Sequence, residues 1–320
     1  MKAIVYREYG SPDVLELQEV EQPVPTGDQV LVRVHASSIN SWDWDLLTGT
    51  LQGRIGGLRK PQYSILGADM SGRVESIGGN VTLFEEGDEV FGDISRHGWG
   101  GLAEYVCVSE KALALKPSTA SFEQAAATPQ AAVLALQGLR HKGRVEQGQN
   151  VLINGAGGGV GTFAVQMAKM FGAVVTGVDI AEKLDTLLAI GADHVIDHTK
   201  EDFTENRLGY DLVLDVVATR STFSHRRSLA ANGRYVVVGG TSGVLLQTLT
   251  LGSIMALAGT RKTGVLMHQP NREDLVYLGQ LFSSDSVVPV IDSSYPLSES
   301  ARAFRHFGGG LHNGKVVITV

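Results

Sequence analysis

The hydrophobic rhythm of the chain changes near residue 120. Before that point apolar and polar residues alternate in short runs, among them Gln29-Val30-Leu31-Val32-Arg33-Val34-His35-Ala36, Met70-Ser71-Gly72-Arg73-Val74-Glu75-Ser76-Ile77 and Glu89-Val90-Phe91-Gly92. Period-two alternation broken by Gly, Pro and Asp predicts short strands closing into an antiparallel barrel or sandwich. From Ser121 the pattern turns helical: Ser121-Phe122-Glu123-Gln124 has the form of a capping box, and the alanine-rich stretch from Ala125 to Leu139 follows it. Pro129 inside that stretch predicts two helices or a kink.

Further on, nearly continuous apolar runs alternate with helical patterns. The runs are Val151-Leu152-Ile153, Ala173 to Val178, His194-Val195-Ile196, Asp211 to Val217, Gly233 to Gly240 and Lys262 to Met267. Strands apolar on both faces and separated by helices belong to a parallel sheet covered on both sides. The tail is predicted to hold a helix from Arg272 to Ser283, a strand from Val287 to Ile291, a helix opened by Leu297-Ser298-Glu299-Ser300 and a closing strand from Lys315. It is too short to stand alone and is expected to complete the first domain. The expected fold is therefore α/β, a doubly wound parallel (Rossmann) sheet domain over 121–268 beside a β-rich domain made of 1–120 and 269–320.

Between the first two apolar runs lies Asn154-Gly155-Ala156-Gly157-Gly158-Gly159-Val160-Gly161, followed by helical spacing from Thr162 to Lys169. Strand, glycines, then helix is the order a dinucleotide pyrophosphate needs, because small residues let the backbone and the helix start approach the phosphates. Ala156, Gly158 and Gly161 satisfy the spacing G/A-x-G-x-x-G, and Asp179 ends the second run, where an acid can accept hydrogen bonds from an adenosine ribose. Asp179 and Glu182 would repel a 2′-phosphate, while Lys183 could pair with one, so the expected cofactor is NAD(P)H, leaning to NADH.

A net charge of −7 argues against a nucleic-acid partner, and 43% apolar residues suffice for a sizeable core. Cys107 is the only cysteine, which excludes an intrachain disulfide and a cysteine-rich metal site. The first residues carry charges where a signal peptide is apolar, and no run reaches membrane-spanning length, so a cytoplasmic protein with no membrane partner is expected.

The order of parts, together with Phe84-Glu85-Glu86-Gly87-Asp88-Glu89-Val90, Gly191-Ala192-Asp193-His194-Val195-Ile196-Asp197, Pro296-Leu297-Ser298 and Gly314-Lys315-Val316-Val317, resembles the medium-chain dehydrogenase/reductase superfamily, in its zinc-independent quinone oxidoreductase and enone reductase branch. The resemblance covers the whole chain and implies a GroES-like first domain. It also implies hydride transfer from NAD(P)H to a quinone or an α,β-unsaturated carbonyl, and a homodimer, with the edge strand Lys262 to Met267 as a candidate for pairing. Zinc-using relatives place a Cys where this chain has Asn40 and a His-Glu pair where it has Ala68-Asp69, so no metal is expected.

The resemblance marks Asn40 and Asp43 as catalytic candidates, although Asp43 can equally fix its loop by accepting backbone amides. Trp44, Asp45 and Leu134 are candidates for the substrate wall. Quinone reductases of bacteria carry Tyr and Arg where this chain has Asp45 and Leu47, and relatives often carry Thr at Leu134. Gly158, Gly159, Val160 and Gly161 would hold the pyrophosphate, Asp179 the adenosine ribose and Lys183 a 2′-phosphate where the cofactor carries one, Val216, Val217, Val238 and Gly239 the nicotinamide half, and Val265 and Met267 its carboxamide. No side chain stands out as the proton donor, which leaves water or a ribose hydroxyl. Two other readings stay open, a non-enzymatic cofactor-binding relative and an alcohol dehydrogenase.

Overall fold

The computed structural model describes residues 1–55, 57–205, 208–257 and 261–320. Two compact units emerge, one of Met1–Val133 with Pro270–Val320 and one of Leu134–Gln269.

The first unit opens with β1 (Lys2–Val5) and β2 (Glu16–Glu19), which pair antiparallel. It continues through β3 (Gln29–Ser38), α1 (Ser41–Thr48), β4 (Asp69–Ile77), β5 (Glu89–Asp93), β6 (Tyr105–Ser109) and β7 (Leu113–Leu115) to α2 (Phe122–Ala126) and α3 (Pro129–Leu136). α1 replaces what the sequence pattern suggests is a loop. Asn40 takes the extended cap conformation, and its backbone N–H donates to the Asp43 carboxylate three residues on. Ser121 and Gln124 form the predicted capping box at α2, and Pro129 begins α3, whose end runs into a π-helical turn over Gln137–Gly143. α2 belongs with the first unit, beyond the boundary expected near residue 120, because Ser38 Oγ donates to Ala126 O and Ser71 Oγ to Phe122 O.

The second unit holds β8 (Asn150–Asn154), α4 (Gly159–Met170), β9 (Val174–Asp179), α5 (Ala181–Ala189), β10 (His194–Asp197), β11 (Tyr210–Asp215), β12 (Leu229–Val237), α6 (Ser242–Leu257) and β13 (Lys262–Val265). Its six strands are all parallel, in the order β10-β9-β8-β11-β12-β13. Leu152, Val178, Val213, Tyr235 and Val237 are wholly or almost wholly buried, as their two-sided apolar runs require. The order reverses between β8 and β11, the switch point beside which open sheets of this kind bind ligands.

The tail returns to the first unit with α7 (Arg272–Ser283), β14 (Ile291–Pro296), α8 (Ser300–Gly308) and β15 (Lys315–Thr319). The strand expected at Val287 to Ile291 begins instead at Ile291, beyond Pro289, whose missing N–H cannot contribute to a ladder. β15 adds antiparallel to β3, giving a sheet ordered β14-β15-β3-β4-β5-β7, with β6 also on β3. The tail thus supplies two strands of the first unit's sheet. Among the described residues no helix is long and apolar enough to cross a membrane.

Candidate active site

In the first unit strand register brings one group of candidate residues together. β3 pairs Ser38 with Val317 of β15 on one side and with Asp69 of β4 on the other. Continuing the antiparallel register two residues puts Lys315 opposite Asn40. All three side chains lie inside the unit, Asn40 at 7% exposure, Lys315 at 2% and Asp69 at 0%.

They satisfy one another. Lys315 Nζ donates to Asn40 Oδ1 at 2.5 Å and to the Ile39 carbonyl at 3.2 Å, and lies 3.6 Å from Asp69 Oδ2. That same Oδ2 accepts Asn40 Nδ2 at 3.0 Å, while Oδ1 accepts the backbone N–H of Gln130 in the first turn of α3. Burial pushes Asp69 up to about 7, against the pull of the neighbouring ammonium, and pushes Lys315 down. Every contact of Asp69 named here is a donor, and each of the three contacts of Lys315 is an acceptor. The set fits a carboxylate and an ammonium.

Asp43 is equally buried but differently engaged. Its two oxygens accept the backbone N–H groups of Asn40 and Gly67, and burial pushes its carboxyl up to about 6. It fixes the entry to α1 and is turned to the backbone. Trp44 packs onto α8, its ring 6.4 Å from Phe307 and so close to Gly308 that a Cβ there would come within 2.1 Å of Cη2. Trp42, its lesser rival as a wall residue, is 46% exposed and meets Trp99 edge-on. Asp45 accepts from the Thr50 hydroxyl, and burial raises its carboxyl. Leu134 is partly exposed on α3.

The second unit presents the glycine loop at the C-terminal end of β8. Gly155 takes a left-handed φ of +77°, which only glycine adopts without strain. Gly158 caps α4, so Gly158, Gly159 and Val160 stand at its start, partly exposed. At Gly161 a Cβ would fall 2.2 Å from the Gly155 carbonyl and 2.5 Å from Ala156 Cα, both backbone. Helix and strand therefore meet only over a hydrogen atom. Asp179, 8% exposed at the end of β9, accepts the backbone N–H of Gly157 at 2.8 Å through one oxygen and that of Ile180 at 2.9 Å through the other. Lys183 Nζ lies 3.8 Å from it, and the lysine stem crosses Gly157, where a Cβ would meet Cδ at 2.6 Å. Asp179 therefore braces the glycine loop, a task the sequence pattern does not reveal, and each oxygen retains a lone pair for a hydroxyl. Val216, Val238, Gly239 and Val265 are partly exposed, and Val217 and Met267 are 52% and 65% exposed, just beyond the C-terminal ends of β11, β12 and β13.

Residues 26–118 match the family described as "Alcohol dehydrogenase GroES-like domain", and residues 190–318 the family described as "Zinc-binding dehydrogenase". A 2-methylene-furan-3-one reductase of Solanum lycopersicum is 35% identical to this chain, over 99% of it and 79% of the relative. The chain belongs to the medium-chain dehydrogenase/reductase superfamily. Among solved members of this superfamily, the quinone oxidoreductase from Coxiella burnetii is 32% identical, with a TM-score of 0.89 over 100% of this chain and 99% of that one. The quinone oxidoreductase of Escherichia coli, solved in complex with NADPH, is 25% identical, with a TM-score of 0.86 over both full chains. The expected pairing of a parallel α/β unit with a GroES-like unit is borne out by these matches.

Of the residues named from sequence, Asn40 and Asp43 come together at the start of α1, and Asp179 and Lys183 come together over the glycines. Sequence reasoning passed over Asp69 and Lys315 as partners of Asn40. Lys315 stands in a stretch that carries the superfamily resemblance and Asp69 at a departure from its zinc-using members, and only the strand register joins them.

Proposed function

We propose that this superfamily member is an NAD(P)H-dependent reductase that passes hydride to a quinone or to the β-carbon of an α,β-unsaturated carbonyl, without a metal. The observation that carries this reading is the Lys315 ammonium on Asn40 Oδ1. Where zinc-using relatives of the superfamily place a thiolate, this chain has an amide bonded to a cation. The adjacent carboxylate, Asp69, is filled by Asn40, Gln130 and Lys315. Zinc takes nitrogen and sulfur donors in an open tetrahedral set, and a buried ammonium in contact with the oxygens opposes a dication. The donor set does not fit zinc despite the family's description, and among the described residues no group of three His, Cys, Asp or Glu side chains could hold a metal.

A reduced nicotinamide, when bound, supplies the hydride, and the acceptor needs its oxygen stabilised while charge develops there. Asn40 Nδ2 gives one N–H to Asp69 and has a second to offer that oxygen. Being an amide, it stays a donor at every working pH. A proton from solvent completes the reduction, at the α-carbon of an enone or at an oxygen of a quinone. The exposed start of α4 and the glycines suit the pyrophosphate, and the remaining lone pairs of Asp179 suit ribose hydroxyls, which favours NADH.

The test is oxidation of NADH and NADPH followed at 340 nm against quinones and enones, with a saturated ketone and an alcohol as controls. Turnover of quinones or enones that survives extensive chelation supports the reading. Binding of either cofactor with no turnover of any acceptor refutes it, as does chelator-sensitive oxidation of the alcohol.

A further inference from the structure

We infer that Lys315 and Asp69 are positioning residues for the reduction: together they hold the Asn40 carboxamide in one of its two flipped orientations, so that an N–H and not a carbonyl oxygen is presented to the acceptor. The inference deepens the reading of Asn40 given above and rests on it.

An asparagine amide is nearly symmetric in shape, and only its hydrogen-bond partners decide which end carries the oxygen. At Asn40 the two partners have opposite character. One end of the amide faces an ammonium 2.5 Å away, and the other faces a carboxylate oxygen 3.0 Å away. With Oδ1 on Lys315 and Nδ2 on Asp69, both contacts join a donor to an acceptor. The flipped amide would set NH2 against NH3+ and a carbonyl oxygen against a carboxylate, inside a region excluded from water. Both errors would occur at once.

The pair is also held from outside the amide. Lys315 is tied by the Ile39 carbonyl and Asp69 by the Gln130 backbone N–H, so neither swings away freely to relieve a flipped amide. Asp69 and Lys315 flank Asn40 from the two strands that border β3. Nothing in this arrangement brings Lys315 to the acceptor: its buried ammonium is turned to Asn40 Oδ1, the Ile39 carbonyl and Asp69. It acts through Asn40.

The same pair has a bland role, mutual neutralisation of two buried charges, and the test must separate the two. Lys315→Met with Asp69→Asn removes both charges together, so no ion is stranded in the core. If the pair is a positioning device, the double variant keeps its thermal midpoint within a few degrees and its cofactor Kd, but loses kcat toward enones about tenfold or more. If the pair is only structural, kcat returns with stability, and the inference falls.

Adding Asn40→Ala supplies a second criterion. Residues that act through Asn40 have nothing left to act on once its amide is gone, so the triple variant should be no slower than Asn40→Ala alone. Multiplying losses would overturn the inference. An Asn40→Ala variant with unchanged kcat would refute the underlying reading of Asn40, a result distinguishable from the other two.

Should the double variant fail to fold, the wild-type protein still decides. With 15N-asparagine labelling, the Asn40 Nδ2 resonances, identified by their disappearance in Asn40→Ala, should show the proton that faces Asp69 strongly protected from solvent exchange. Two protons that both exchange as fast as those of an exposed amide would mean that the contact to Asp69 is not held, and would overturn the inference.

Discussion

Replacing Asp43 by Asn should flatten a pH dependence of stability that the fold builds into this position. Asp43 is 1% exposed, and burial moves its carboxyl from 3.8 to about 6, against the opposing pull of the Asn40 and Gly67 amides and of the Lys315 charge. The unfolded chain titrates this group near 3.8, so between pH 3.8 and 6 the native state keeps a proton that the unfolded state has lost. Stability contributed by a group held in its protonated form is present at low pH and lost as pH rises through that window. At about 1.4 kcal/mol per pH unit the loss comes to about 3 kcal/mol. Asparagine cannot titrate. It also brings one acceptor to two backbone N–H groups, which costs ~1–3 kcal/mol at every pH and enters as an offset, not a slope. Asp69 and Lys315 remain in both proteins and largely cancel in the comparison. Urea unfolding followed by tryptophan fluorescence from pH 4 to 7, which covers most of that window, should therefore show the advantage of wild type over Asp43→Asn shrinking by about 2.5 kcal/mol as pH rises. A difference constant with pH would refute the reasoning. One that widened with pH would mean that the two backbone amides outweigh burial and that Asp43 is a carboxylate throughout.

Three further outcomes follow from the same geometry. Gly161→Ala puts a methyl group 2.2 Å from the Gly155 carbonyl, so it should weaken NADH binding about tenfold or more in a fluorescence titration and lower the melting temperature; unchanged affinity would free the loop of its packing constraint. Asp179→Ser should raise the ratio of NADPH to NADH affinity by about tenfold, since it removes a negative charge beside Lys183, and an unchanged or lowered ratio would contradict the ribose assignment. β13 is one of the two edge strands of the parallel sheet; if it pairs with a second copy, as the resemblance implies, sedimentation should give a dimer of the 34.1 kDa chain, and a species of single-chain mass would remove that pairing.

What could be read from sequence divides along physical lines. Runs such as Leu212-Val213-Leu214 and Val30-Leu31-Val32 carry their burial in their own periodicity, so strands, order and fold class follow from local pattern. The glycine loop is legible for the same reason, since Gly155 and Gly161 answer constraints set within a few residues of each. Asn40 was legible as a position but not as a geometry. Nothing in Ile39-Asn40-Ser41 says that a helix starts there, or that a lysine from the end of the chain closes on the amide, because strand register is a long-range property. Asp179 shows a third case: an acid at the end of β9 was legible, whereas its bonds to Gly157 and Ile180 depend on how the glycine turn folds back toward it.

These two long-range results share a design. In each unit a carboxylate at a strand end, Asp69 or Asp179, accepts the backbone N–H of a residue at or just before a helix start, Gln130 or Gly157, and has a buried lysine beside it, Lys315 or Lys183. Ion pairs in a protein core are poor sources of stability, because desolvation offsets most of the attraction. Their directional strength is another matter, since a carboxylate flanked by a cation and a backbone amide has few alternative arrangements. Under the proposed function the segments so held are those that reduction needs fixed, the Asn40 amide in one unit and the glycine loop in the other. Neutralising either carboxylate together with its lysine, so that no charge is stranded, should therefore disturb catalysis or cofactor choice more than it disturbs the melting temperature, which is the reverse of what a purely structural pair would do.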